Sequence, residues 1–250
     1  MSMEPVRFGV IGCGLMGREF ASTSMRWLHL ACDLPRPVIL AACDLSQENL
    51  DWFRRVPDTK YFYSDYHELL ANPQVEAVYC AVPHHLHAQV DGDVIRAGKH
   101  LIGEKPFGMD LAACEEIEAA MAQQPGVFVR CASEFPFYPA VQQMIRWYRE
   151  GAFGKIIEAR FAIKHSSDMD LSKPINWKRM RESNGEYGCM GDLGIHTMHV
   201  PFRLGFSPRT VSAQLANIVR TRPDKTGAPV PCETWDNAIL MCEAQNESDD

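Results

Sequence analysis

The sequence predicts an α/β protein: an N-terminal doubly wound parallel sheet followed by an α+β domain with an open, mainly antiparallel sheet. Three observations predict it. In the first half, short apolar runs alternate with stretches of helical period, the pattern of parallel strands joined by helical crossovers. Those runs are apolar almost throughout, as strands covered on both faces are. After Cys131 the pattern changes to a proline-punctuated segment and an amphipathic helix, and from Ile157 residues alternate one by one, which suits strands with one covered face.

Taken in order, strand-like runs lie at Val6 to Ile11, Val38 to Cys43, Ala77 to Val82, His100 to Ile102 and Val127 to Cys131. Helical periodicity lies between them at Leu15 to Trp27, Gln47 to Arg54, His87 to Ala97 and Leu111 to Gln123. A proline-punctuated segment, SEFPFYP, then leads into an amphipathic helix carrying Val141, Ile145 and Tyr148, ended by Gly151. Ile157, Ala159, Phe161 and Ile163 alternate with polar residues, as do Val211, Ala213 and Leu215 and the stretch Ala238 to Glu243, so each predicts a strand. The polar stretch from Lys164 to Gly188 is too long for a simple connection and predicts a functional loop.

The chain of 250 residues suits two domains of ordinary size, with the change of pattern falling between 132 and 133. Hydrophobic residues at 46% and charged residues at 23% exclude a disordered chain. Lys and Arg number 25 against 32 Asp and Glu, a net charge of -7, so no basic face for nucleic acid is expected. No apolar stretch approaches the roughly 20 residues that span a bilayer. The N-terminus, with Glu4 and an apolar run that leads straight into glycines, does not read as a signal peptide. The expectation is a cytoplasmic protein without a membrane partner. Nine cysteines lie scattered without a CxxC pair, which predicts reduced, buried thiols and no metal centre.

The first strand ends in Gly12-Cys-Gly14-Leu15-Met16-Gly17, a GxGxxG after a strand and before a helix. The first glycine permits the tight turn, the second lets backbone approach a pyrophosphate, and the third lets helix pack on strand, while the helix N-terminus stabilises the anion. The second strand ends at Asp44, placed to accept hydrogen bonds from the adenosine ribose hydroxyls. That carboxylate would repel a 2'-phosphate, and the following Leu45 and Ser46 supply no arginine to neutralise it, so NAD is expected in preference to NADP. The structural alternative is an aspartate that merely caps the next helix.

Further along come AVPHHLHAQV, with Val82, Pro83, His84 and His87, then AGKHLIGEKP, with Glu104 and Lys105, and finally Gly188-Cys-Met-Gly-Asp192-Leu-Gly-Ile-His196. The series GxGxxG, ACD, VPxxxH, AGKHxxxEKP and GxxxDxGxH resembles the Gfo/Idh/MocA oxidoreductases, the family of glucose-fructose oxidoreductase and inositol 2-dehydrogenase. The resemblance runs from Phe8 to about Phe206. It implies a dinucleotide-binding Rossmann domain over 1–132 and a substrate-binding and oligomerisation domain over 133–250. It also implies more strands of the open sheet than this chain carries, so the second domain is expected to be incomplete. Homo-oligomers associating through that sheet are implied as well.

By the same resemblance Lys105 contacts the substrate hydroxyl and the cofactor, and Glu104 lies near the nicotinamide ribose. Asp192 and His196 form the remaining catalytic pair, and His87 matches the motif histidine, whereas His84 stands where an asparagine is common. Elementary chemistry agrees: oxidising an alcohol needs a base at the oxygen and a hydride acceptor at the carbon. Asp192 and His196 are four apart, so on a helix they share a face and the carboxylate can orient the imidazole. His196 is therefore expected as the principal acid/base, Lys105 as the hydroxyl-positioning or relay group, and Asp192 as orienter and substrate contact.

Three functions remain open at this level. The first is an NAD-dependent dehydrogenase of a sugar, cyclic polyol or related hydroxyl or carbonyl compound, with a neutral substrate expected from the mixed charges of the 164–188 loop. The second is an NAD-dependent glycosidase using transient redox, and the third a non-catalytic NAD-binding regulator. His199 is expected as a core histidine, and Trp177, Lys178 and Arg179 either touch substrate or belong to a solvated loop.

Overall fold

The structure is a computed structural model that describes residues 4–31, 33–166 and 168–246. The chain divides into two compact units, Met1–Ala132 and Ser133–Asp250. Among the described residues no helix is long and apolar enough to cross a membrane.

The first unit is built on six parallel strands: β1 (Val6–Ile11), β2 (Pro37–Cys43), β3 (Tyr61–Tyr63), β4 (Ala77–Cys80), β5 (His100–Gly103) and β6 (Val129–Cys131). Their order across the sheet is β3-β2-β1-β4-β5-β6, with every neighbouring pair parallel. The crossovers include α1 (Leu15–Met25), α2 (Gln47–Phe53), α3 (Tyr66–Ala71), α4 (His87–Arg96) and α5 (Leu111–Gln123). Local chemistry sets several starts. Ser46 accepts the Asn49 N–H at α2, Asp65 the His67 N–H at α3, and Asp110 the Ala113 N–H at α5.

Strand residues feed two separate apolar clusters in alternation. Leu40, Val78, Cys80 and Leu101 join one with Val90, Val94 and Ile95 of α4. Val10, Ile39, Ala42 and Tyr79 join the other with Ala21, Leu50 and Phe53. Two clusters from one set of strands are what a sheet covered on both faces requires. The unforeseen parts are β3 and α3, three and six residues long, too short for periodicity to register. The predicted first helix also stops at Met25 and tightens into a 3-10 turn over Arg26–His29.

The second unit opens with a 3-10 turn at Phe135–Phe137 and α6 (Pro139–Arg149), which starts on the proline whose missing N–H costs nothing there. Later come α7 (Arg181–Asn184), a π-helical turn over Met190–Gly194, and α8 (Ile195–Arg203). β7 (Phe206–Ala216) pairs antiparallel with β10 (Asn237–Asn246), and β8 (Thr221–Pro223) with β9 (Pro229–Pro231).

Two expectations for this unit are corrected. Residues 157–163 form no strand, and Ile157 is 95% exposed. Alternation permits a strand, but a strand exists only where another backbone satisfies its N–H and C=O groups, and no described segment pairs with this one. β7 and β10 do not have one covered face either: β7 is exposed at every position from 207 to 215, and Ile239 and Met241 of β10 are exposed as well.

Leu101 of β5 is fully buried in the first cluster. Leu101→Ala should cost about 2–5 kcal/mol, the transfer of the lost methyl groups plus the cavity they leave. Urea unfolding of the two proteins measures it, and an unchanged midpoint would remove Leu101 from the core.

Candidate active site

Parallel strands present their C-terminal ends at one edge, so the segments after β1, β2, β4 and β5 emerge on the same side of the first unit. Because β2 and β4 flank β1, the chain leaves β1 and β4 in opposite directions, and a crevice forms between these ends. Gly12, Asp44, the Val82-Pro83-His84 segment and the Glu104-Lys105 pair all lie on this edge.

Gly12 has φ +89°, and a Cβ there would stand 2.4 Å from the Ala81 carbonyl oxygen. A Cβ at Gly17 would stand 2.3 Å from the Gly12 carbonyl oxygen. These two glycines are needed by the protein's own packing. Gly14 is different, because a Cβ there meets no atom within 4 Å. Gly14 also caps α1 and has no side chain to bond the first-turn amides of Leu15 and Met16.

Asp44 closes one side of this loop. Its Oδ2 accepts the Cys13 N–H at 2.7 Å, and its Oδ1 accepts the Ser46 N–H at 2.7 Å. Ser46, not Asp44, caps α2, and the carboxylate instead ties the Ser46 amide to the glycine loop. Asn49 Nδ2 donates to Asp44 Oδ2 at 3.2 Å, while Arg18 Nη2 donates to Asn49 Oδ1 at 3.0 Å. Neither Asn49 nor Arg18 was expected here. The signal available was an arginine directly after Gly17 and an asparagine three residues after the Ser46 cap.

On the other side, Glu104 is buried and its Oε1 accepts the Tyr79 hydroxyl at 2.5 Å, while Oε2 accepts the Lys105 N–H at 3.2 Å. Phe20 stacks on Tyr79 with centroids 4.2 Å apart. Lys105 is half-buried, and Val82 and Pro83 are partly exposed. His84 is only 3% exposed and His87 is fully buried. His87 Nδ1 lies 2.8 Å from Asp91 Oδ2, one turn along α4, and its ring is fully buried.

Cys80, His87 and Asp91 bring their polar side-chain atoms within 4.8 Å of one another, near enough for a cation. Burial, followed by the charge of Asp91 and a hydrogen bond to it, pushes the Cys80 thiol well above its usual range. The Cys80 thiol and the His87 ring both hydrogen-bond the Asp91 carboxylate. Burial likewise leads in pushing the Cys43 and Cys131 thiols up to about 12. Cys32 lies outside the described residues.

The second unit holds the other two expected catalytic residues. Asp192 lies in the π-helical turn and His196 in the first turn of α8, so the four-residue spacing does not run along a uniform α-helix. Asp192 is 8% exposed, and both its carboxylate oxygens accept from Lys178 Nζ, at 3.0 and 2.8 Å. The imidazole of His196, buried as well, stacks on Phe135 with centroids 4.6 Å apart. At His199 burial, then the charge of Arg203, pushes the imidazole below its usual range.

A buried polar network fixes the loop that carries Lys178. Arg222, 1% exposed, donates to the carbonyls of Asp168, Asp170 and Lys173. Arg179 donates to the Asp168 carboxylate and lies 3.8 Å from Asp236. Trp177, Lys178 and Arg179 form a 3-10 turn that Asn176 caps. The turn therefore belongs to an ordered polar cluster, and Lys178 joins the site residues through Asp192.

The family model for the oxidoreductase family with NAD-binding Rossmann fold matches residues 6–131, and that for the GFO/IDH/MocA C-terminal domain matches residues 141–248. An uncharacterized oxidoreductase of Synechocystis sp. is 35% identical over 197 residues, 76% of this chain and 51% of that protein. Levoglucosan dehydrogenase of Pseudarthrobacter phenanthrenivorans is 28% identical over 233 residues, 90% of this chain and 57% of the relative. The chain thus spans a little over half the length of these curated relatives. The solved levoglucosan dehydrogenase in complex with NADH matches the fold with a TM-score of 0.84 at 23% identity, covering 96% of this chain and 63% of that one.

The polar network makes an acid-pH prediction. Burial acts to raise the Asp168 carboxyl, but the charge of Arg179, then hydrogen bonds from Lys173 and Arg179, outweigh it and hold the group below the usual carboxylate range. A carboxyl lowered by folding stabilises above its unfolded pKa, about 3.9, and that contribution is lost as pH falls through the lower folded value. Asp168→Asn should therefore melt lower than wild type at neutral pH, with the gap closing as pH falls below about 4. A gap of constant size between pH 7 and pH 3 would show that the charge of Asp168 contributes nothing.

Proposed function

This chain belongs to the Gfo/Idh/MocA family of oxidoreductases with an NAD-binding Rossmann domain, and from that premise we propose that it serves a dehydrogenase of a neutral sugar or cyclic polyol. The observation that carries the reading is the Asp44 carboxylate bonded to the Cys13 N–H of the glycine loop, beside a helix N-terminus whose cap, Gly14, has no side chain to bond the first-turn amides. The residues fit a dinucleotide. Gly14 leaves room for a pyrophosphate that packing does not need, the α1 amides supply donors, and Asp44 offers a carboxylate to a ribose diol.

When bound, NAD supplies the acceptor for a hydride leaving the carbinol carbon. The chain's own residues handle the hydroxyl proton. His196 receives it as principal base, and its stacking on Phe135 holds the ring plane while the proton transfers. Lys105 orients the hydroxyl or relays its proton, and the bond of its N–H to Glu104 steadies the backbone from which it projects. Asp192 contacts substrate and orients His196, with its carboxylate held in one position by Lys178.

The pairing of four cations of the second unit supports a neutral substrate. Lys178 is engaged by Asp192, Lys173 and Arg179 by Asp168, and Arg222 by three carbonyls. Recruiting them for a phosphate would break these pairs. Association of copies through the second unit belongs to the same reading, and the exposed Val211, Ile239 and Met241 on β7 and β10 support it.

A panel of neutral sugars and polyols offered with NAD should give net NADH formation with at least one member. Phosphorylated compounds as the sole substrates would overturn the neutral assignment, and glycoside cleavage without net NADH would favour the transient-redox glycosidase. Lys105→Ala should abolish turnover and leave NADH affinity within about threefold, less than 1 kcal/mol. Normal turnover in that variant would remove Lys105 from the chemistry.

A further inference from the structure

Arg18 sits on α1, one residue past the last motif glycine, and reaches back toward the adenosine side of the glycine loop. Its Nη2 donates to Asn49 Oδ1 at 3.0 Å, and its guanidinium carbon lies 5.3 Å from the centre of the Trp52 ring. Its Nε is buried and has no hydrogen-bond partner among the described residues. A buried guanidinium N–H left without an acceptor is uncommon and calls for a ligand or a structural reason.

Asn49 is the only covalent unit between Arg18 and Asp44 in this chain of hydrogen bonds, since its other end donates to Asp44 Oδ2 at 3.2 Å. An ionised carboxylate offers about four acceptor positions. Three are filled here, by Cys13 N–H, Ser46 N–H and Asn49. A ribose diol brings two hydroxyls, so accepting both requires one protein donor to leave. Asn49 makes the longest of the three bonds and is the only side chain among them, so it is the donor that moves. The same movement releases Arg18 Nη2, and the acid and the cation are uncovered together.

We propose that Arg18 is a specificity-determining residue of this subsite: a cation able to bind the 2'-phosphate of NADP, whose effect Asp44 overrides. The proposal rests on the dinucleotide reading above. A 2'-phosphate beside Asp44 meets a like charge at short range, which excludes it. Without that carboxylate, the planar fork of Arg18, steadied over Trp52 and carrying a spare Nε–H, matches a phosphate in both charge and shape. The arginine that the residues after Asp44 do not supply thus comes from α1.

The test is a set of fluorescence titrations of the full chain with NADH and NADPH, run on wild type, Asp44→Ser, Asp44→Ser with Arg18→Met, and Asn49→Ala. Wild type should bind NADH at least about tenfold more tightly than NADPH. Asp44→Ser should bring NADPH level with NADH or ahead of it. Adding Arg18→Met should then weaken NADPH by about tenfold or more while NADH moves by less than about threefold, and should flatten the salt dependence of NADPH binding. Asn49→Ala keeps both charges and serves if Asp44→Ser fails to fold. It should raise the affinity ratio of NADPH to NADH over wild type. Equal losses for both dinucleotides on adding Arg18→Met, or no loss of NADPH, would overturn the assignment of Arg18 and leave the cofactor reading standing. Failure of folded wild type to bind either dinucleotide would instead overturn the cofactor reading, and the assignment with it.

Discussion

The parallel pairing of β1 with β2 on one side and β4 on the other is the constraint on which the first unit depends. Parallel strands cannot be joined by tight turns, so each return runs through a crossover, and every strand then delivers its C-terminal end to the same edge. Four short segments far apart in sequence, around Gly12, Asp44, Pro83 and Lys105, are gathered there without any long-range contact among their side chains having to be arranged. The hydrogen bonds that join these ends, from Gly12 N–H to the Cys43 carbonyl and from Glu104 N–H to the Cys80 carbonyl, continue the sheet into the loops. The site's geometry is in this sense an extension of the ladder.

Charge compensation is the second theme. The buried or half-buried acids each meet a definite set of donors: Asp44 two backbone amides and Asn49, Glu104 the Tyr79 hydroxyl, Asp91 the His87 ring, and Asp192 the Lys178 ammonium. A carboxylate removed from water is tolerated only with such partners. The partners also fix direction. Asp44 is turned toward the glycine loop by the Cys13 amide, and Asp192 is tied to a loop that Arg222 anchors through three carbonyls.

Much of the first unit was legible because its signals are local. Val6–Ile11 and Leu111–Gln123 end where the apolar run and the helical period end, and the glycine motif names its own turn. β3 escaped because Tyr61–Tyr63 is a strand only by lying next to β2. The segment 157–163 failed in the opposite way: it has the alternation of a strand and no described partner. His87 carries a motif position and is turned inward onto Asp91, an orientation that depends on which face of α4 meets the sheet.

The sequence by itself determined the parallel architecture of the first unit, the glycine turn and the acid at the end of β2, because each is dictated by residue type and spacing within one element. The tertiary structure alone decided that Arg18 meets Asn49, that Lys178 holds Asp192, and that Arg222 fastens the 168–173 loop. Those pairings join elements that periodicity treats as independent. Long polar side chains reach several ångströms, and which partner they find depends on where the backbone of another element has been placed, a relation that no local pattern encodes.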